Sequence, residues 1–175
     1  IRVSLVGSEM CIRDSLYALS ENSNFVICSG AKSILDLSKT NELLETLGIT
    51  RIGYQTNYMP GFWYEETENK VDNKFDEIHE ISSFLKLNEN MGNKKSILIF
   101  NKVPLEKALN KNDVEKWINN ATIKADRNNI SGKELTPFLI KEINEQSKNE
   151  TLNANVSLII NNANLAGKIA KSFYS

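Results

Sequence analysis

Residues 25–37, Phe-Val-Ile-Cys-Ser-Gly-Ala-Lys-Ser-Ile-Leu-Asp-Leu, constrain the fold of this chain more than any other stretch. The first half is a short apolar run suited to a strand covered on both faces. Gly30 interrupts it, and Ile34, Leu35, Leu43, Leu44 and Leu47 then recur at helical spacing. The pattern predicts a strand passing through one tight turn into a helix that stops at Gly48. A second strand over 51–54 completes a strand, helix, strand unit, and the length of the crossover favours parallel pairing.

The rest of the chain repeats the design. Helical periodicity covers 75–87, with Ile78, Ile81, Phe84 and Leu85 inward, and 113–128, with Val114, Trp117, Ile118, Ala121 and Ala125 inward and Asn112 or Asp113 as cap. A third strand covers 96–100, and Asn101 follows where the carboxyl end of a strand opens onto a crevice. Thr136-Pro137 reads as a capping hydroxyl and a first-turn proline. The last helix, 152–173, is expected to bury Val156, Ile159, Ile160, Ala163, Ala166, Ile169 and Ala170. The expected fold class is α/β, a mainly parallel sheet flanked by helices.

Lys32 falls at the turn after the first strand. If it lies in the first helical turn, the positive end of the helix dipole and partial burial both favour its neutral amine, a nucleophile toward an aldehyde or a sugar anomeric carbon. The plainer alternative is a solvated lysine paired with Asp36 one turn on. Residues 55–74 form a loop too long for a simple connection. Its Tyr58, Met59, Phe62, Trp63 and Tyr64 would be a sticky patch if exposed, so they should dock on the domain or on a neighbouring subunit. Asparagines recur in the last helix, at 153, 155, 161, 162 and 164. Their amides suit the edge of a uracil-like base, or else capping and interhelical hydrogen bonds.

Several function classes are excluded or disfavoured. A net charge of −1 with 25% charged residues gives no electrostatic footprint for nucleic acid or an anionic membrane. Cys11 and Cys28 form no metal or redox pattern. His79, the sole histidine, sits on the polar side of its helix with no second ligand nearby. With neither a membrane-length apolar run nor a signal-peptide pattern, a cytoplasmic protein is expected.

The blocks Val-Ile-Cys-Ser-Gly-Ala-Lys-Ser-Ile-Leu-Asp-Leu (26–37), Leu-Leu-Glu-Thr-Leu-Gly (43–48), Ile-Gly-Tyr-Gln-Thr (52–56), Gly-Lys-Glu-Leu-Thr-Pro-Phe-Leu (132–139) and Asn-Asn-Ala (161–163), in that order, resemble the C-terminal half of the pseudouridine-5'-phosphate glycosidase family. The resemblance runs from Leu16 to the C-terminus. It implies reversible cleavage of pseudouridine 5'-phosphate to uracil and ribose 5-phosphate, with Lys32 as the catalytic nucleophile through a Schiff base, Asn155 as a uracil contact, a manganese cofactor and a homotrimer when intact. The family's metal-binding aspartate would fall on Cys11, and its adjoining sugar and phosphate contacts on Arg13, Asp14 and Ser15. These do not match, so no metal ligand is assigned. Residues 1–15 resemble a translated adaptor scar, and 16–175 are expected to be the C-terminal part of a single domain. Without the family's general-acid glutamate, this piece is expected to be inactive alone. A non-catalytic sugar-phosphate-binding module and an indigoidine-synthase A type relative are the alternatives.

Overall fold

The computed structural model describes residues 9–34 and 36–175, without the side chains of residues 9–14 and 133. Leu35, counted in the helical periodicity above, and the side chain of Cys11 lie outside the described set.

Four strands, β1 (Phe25–Cys28), β2 (Thr50–Tyr54), β3 (Asn73–Phe75) and β4 (Ile97–Phe100), form one sheet in the order β1-β4-β2-β3, with every pairing parallel. Among the described residues six α-helices accompany it: α1 (Glu9–Glu21), α2 (Leu37–Thr46), α3 (Ile78–Asn90), α4 (Lys111–Arg127), α5 (Leu135–Gln146) and α6 (Glu150–Tyr174). The α/β expectation is met. β3 was missed because it is three residues long and polar, held by pairing with β2 rather than by its own pattern. α1 crosses the boundary placed at residues 15 and 16.

Period-two alternation distributes the central strands between two cores. Ile97 and Ile99 of β4 pack with Ile52, Ile81, Leu85, Leu165 and Ile169 on the side of α3 and α6. Leu98 and Phe100 of the same strand pack with Leu16, Leu44, Ile49 and Met59 on the side of α1 and α2. All four β4 residues are therefore buried, which explains why 97–100 reads as an unbroken apolar run. A third core joins Trp63 and Tyr64 to α4, α5 and the start of α6 through Val114, Ala121, Ala125, Leu139, Ile143 and Ala154.

The helix ends obey local chemistry with three corrections. α2 stops as expected: Gly48 at φ +65 donates to the Glu45 carbonyl (2.9 Å) and Ile49 to that of Leu44 (3.0 Å), a Schellman closure. α4 is capped by Asn110, whose side chain accepts from the Asn112 N–H, rather than by Asn112 or Asp113. Thr136 is not a cap: a 3-10 turn at Gly132–Glu134 leads directly into α5, and Thr136 is buried inside its first turn. The third correction concerns α6. It buries Thr151, Ala154, Leu158, Leu165 and Ile169, whereas Val156, Ile159, Ile160, Ala163 and Ala170 are exposed. The helix carries apolar residues on more than one face, so periodicity alone could not orient it.

Candidate active site

The loop between β1 and α2 carries Lys32, and here the structure departs from the expectation in a telling way. α2 begins at Leu37 with Asp36 as its N-cap, accepting from the Lys39 N–H at 3.0 Å. Lys32 thus lies outside the first turn of any helix, and the dipole argument does not apply to it. Nor does it pair with Asp36, whose carboxylate takes the Lys39 ammonium at 3.0 Å. Lys32 is half-buried, with its Nζ 6.0 Å from the centre of the Phe62 ring. Desolvation alone lowers its pKa below the ordinary lysine value of 10.5. The shift is toward the neutral amine, and its cause is burial rather than the helix field.

What buries it is the long loop after β2. Residues 57–71 double back on themselves: Met59 N–H donates to Asn69 O and Thr67 N–H to Met59 O, both at 2.8 Å, and Tyr58 bridges Lys70 antiparallel. The tip, 60–64, presses on the Lys32 loop. Phe62 N–H donates to the Ser29 carbonyl at 3.1 Å, and the Ser33 hydroxyl donates to the Gly61 carbonyl. Gly30, at φ +85, admits this approach, because a Cβ there would overlap the Pro60 carbonyl oxygen. The aromatic cluster therefore docks on its own domain, with Met59, Trp63 and Tyr64 buried.

Asn155 lies on the far side of this tip. Its Oδ1 accepts from Trp63 Nε1 at 2.7 Å, and the two residues line an open cleft of about 430 Å³ between α5 and α6, bordered by Pro137, Ile140, Lys141 and Asn144. Phe62 and Trp63, edge to face at 5.7 Å, connect Lys32 to Asn155. With its oxygen engaged, Asn155 presents its NH2 group as the donor still able to face a ligand.

A polar cluster whose members the sequence named only singly, Asn101 after its strand and Asn162 in the last helix, occupies the carboxyl ends of β1 and β4. Ser29 and Asn101, each the residue after its strand, are both buried. Asn162 of α6 donates from Nδ2 to Ser29 Oγ (3.0 Å) and accepts at Oδ1 from Asn101 Nδ2 (3.0 Å). Its neighbour Asn161 donates to the Lys102 carbonyl (3.0 Å). The asparagine-rich helix was the available signal, and three of its five amides, those of Asn155, Asn161 and Asn162, prove to be interelement ties. Lys102 completes this rim, its ammonium 3.3 Å from the Glu66 carboxylate. His79 is exposed. Among the described residues no group of three or more His, Cys, Asp or Glu is placed to hold a metal ion. Nor, among them, is any helix long and apolar enough to cross a membrane.

The family model described as "Indigoidine synthase A like protein" matches residues 6–172. The chain belongs to that family. Family relatives include the pseudouridine-5'-phosphate glycosidases of Kosmotoga olearia, 42% identical over 91% of this chain and 55% of that protein, and of Petrotoga mobilis, 42% identical over 93% and 53%. The chain spans about half the length of the curated relatives it matches. Two solved structures superpose on it. One is the prealnumycin C-glycosynthase AlnA in complex with ribulose 5-phosphate, with a TM-score of 0.87 and 25% identity over 98% of this chain and 59% of that one. The other, an indigoidine synthase A-like protein from Thermotoga maritima, has a TM-score of 0.80 and 31% identity over 97% and 53%. The expected resemblance and fold class thus hold.

Proposed function

We propose that this chain supplies the nucleophile-bearing part of a pseudouridine-5'-phosphate glycosidase, which reversibly joins uracil to C1 of ribose 5-phosphate. In the joining direction the neutral Lys32 amine condenses with the aldehyde carbon of open-chain ribose 5-phosphate. A C–N bond forms and the aldehyde oxygen departs as water, leaving an imine carbon. Uracil C5 bonds to that carbon as the imine electron pair returns to nitrogen, and C5 then gives up its proton. Closure of the ribose ring by the C4 hydroxyl expels the Lys32 amine. Asn155 offers its NH2 group to a uracil carbonyl from the cleft beside Trp63.

The observation that carries this reading is the half-buried Lys32 at the carboxyl edge of a parallel sheet, its pKa lowered by desolvation. The names of the relatives support the substrate, and the ribulose 5-phosphate complex of AlnA supports a pentose phosphate as its sugar part. Turnover is proposed to need the additional length that the relatives possess, which supplies the general acid, and the complete protein is proposed to be a homotrimer.

Borohydride reduction in the presence of ribose 5-phosphate tests the proposal. The expected product is a stable sugar adduct on Lys32, located by peptide mass mapping, without release of uracil from pseudouridine 5'-phosphate by this chain alone. A binding module without catalytic chemistry would hold the sugar and leave Lys32 unmodified.

A further inference from the structure

Lys32 needs more than a depressed pKa to act, because imine formation demands that the amine be held where the sugar carbon arrives. The loop bearing it is fastened on two sides. On one side the aromatic tip holds the Ser29 carbonyl through the Phe62 N–H (3.1 Å) and the Ser33 hydroxyl through the Gly61 carbonyl. On the other, α6 reaches across the carboxyl ends of β1 and β4 with a single amide.

We propose that Asn162 is a positioning residue for Lys32, its amide clamping Ser29 and Asn101 so that the loop leaving β1 has one fixed direction. This inference rests on the reading of Lys32 as the nucleophile. Asn162 Nδ2 donates to Ser29 Oγ at 3.0 Å, and its Oδ1 accepts from Asn101 Nδ2 at 3.0 Å and lies 3.3 Å from the Ser29 hydroxyl. Ser29 and Asn101 are 2% and 6% exposed, so water is a poor substitute for these bonds. Asn101 is itself fixed, its N–H extending the ladder to the Cys28 carbonyl at 2.9 Å.

Packing does not call for this network. Leu158, Leu165 and Ile169 on the same helix bury apolar side chains, and three apolar residues of similar shape would fill the site without unmet hydrogen bonds. A connected polar set in the interior instead fixes a single arrangement, since each member is satisfied only in that geometry. Ser29 stands three residues from Lys32, and nothing longer than that short loop separates the clamp from the amine.

The test uses the 175-residue chain with ribose 5-phosphate and cyanoborohydride, following adduct formation at Lys32 and, as an internal reference, at the 74% exposed Lys141. Asn162→Leu should slow labelling of Lys32 by about tenfold or more and leave Lys141 unchanged, because only the positioned amine depends on the clamp. Asn162→Asp, which keeps the accepting oxygen, should restore Lys32 labelling to within about threefold of the parent. Ser29→Ala should slow it less, and the Ser29→Ala, Asn162→Leu pair no more than Asn162→Leu alone, since both act through one link. Equal labelling of Lys32 in the parent and in a folded Asn162→Leu chain overturns the inference. If Asn162→Leu does not fold, unchanged labelling in Ser29→Ala overturns it equally. A parent chain that labels Lys32 no faster than Lys141 refutes the nucleophile itself, and the clamp with it.

Discussion

Replacing Gly30 by alanine tests how the Lys32 loop meets the aromatic tip. Two separate costs arise. At φ +85 an L side chain sits in left-handed backbone, at about 1–2 kcal/mol. The new Cβ also meets the Pro60 carbonyl oxygen, backbone that cannot rotate away, and the shift needed to relieve such overpacking costs about 1–3 kcal/mol. The sum, about 2–5 kcal/mol, is a large share of the roughly 5–15 kcal/mol that holds a domain folded. At about 2–4 °C per kcal/mol for a chain of this size, Tm should fall by roughly 4–20 °C. Gly92→Ala isolates the first contribution, because Gly92 has φ +72 and no atom within 4 Å of the added Cβ. It should cost only about 1–2 kcal/mol. Thermal unfolding of both variants followed by circular dichroism gives the difference. If Gly30→Ala melts no lower than Gly92→Ala, the close approach of the two loops is not present in solution.

The Lys32 pKa makes stability depend on pH with a definite sign. Because burial lowers the folded value below 10.5, the unfolded chain holds the extra proton between the two values. Stability therefore rises with pH across that window, and below it the penalty of a half-buried charge is fully present. Lys32→Met should abolish this increment, seen as a flatter Tm against pH than in the parent. Asn155→Ala leaves the buried Trp63 Nε1 without its acceptor and should cost about 1–3 kcal/mol in urea denaturation, whereas Asn155→Asp keeps the bond and most of the stability. Burial pushes the Cys28 thiol from 9.0 up to about 11. At pH 8 its thiolate fraction is then roughly a hundredfold lower than in the unfolded chain, and iodoacetamide should alkylate the Cys28 peptide correspondingly faster after urea is added.

Legibility followed the range of the forces involved. Residues 97–100 announced a strand because both faces are buried, residues 25–28 because both faces are at least half covered, and Gly48 announced the end of α2 because a left-handed residue closes a helix within two positions. The same local logic misplaced the caps of α4 and α5, where neighbouring polar residues compete for one role. It also misplaced most of the inward face of α6, Ile169 excepted, because that helix is apolar on more than one side.

By itself, the sequence determined the α/β class, three of the four strands, that the aromatic loop is covered rather than exposed, and the choice of Lys32 as the residue to watch. Tertiary structure alone decided the order β1-β4-β2-β3 and what surrounds Lys32. Phe62 reaches that amine from 30 positions away, Asn155 meets Trp63 across 92, and Asn162 meets Ser29 across 133. Periodicity encodes which way a side chain faces on its own element. The partner that desolvates or fastens it is set only when elements distant in sequence pack together, and at Lys32 that packing, rather than a helix dipole, lowers the pKa.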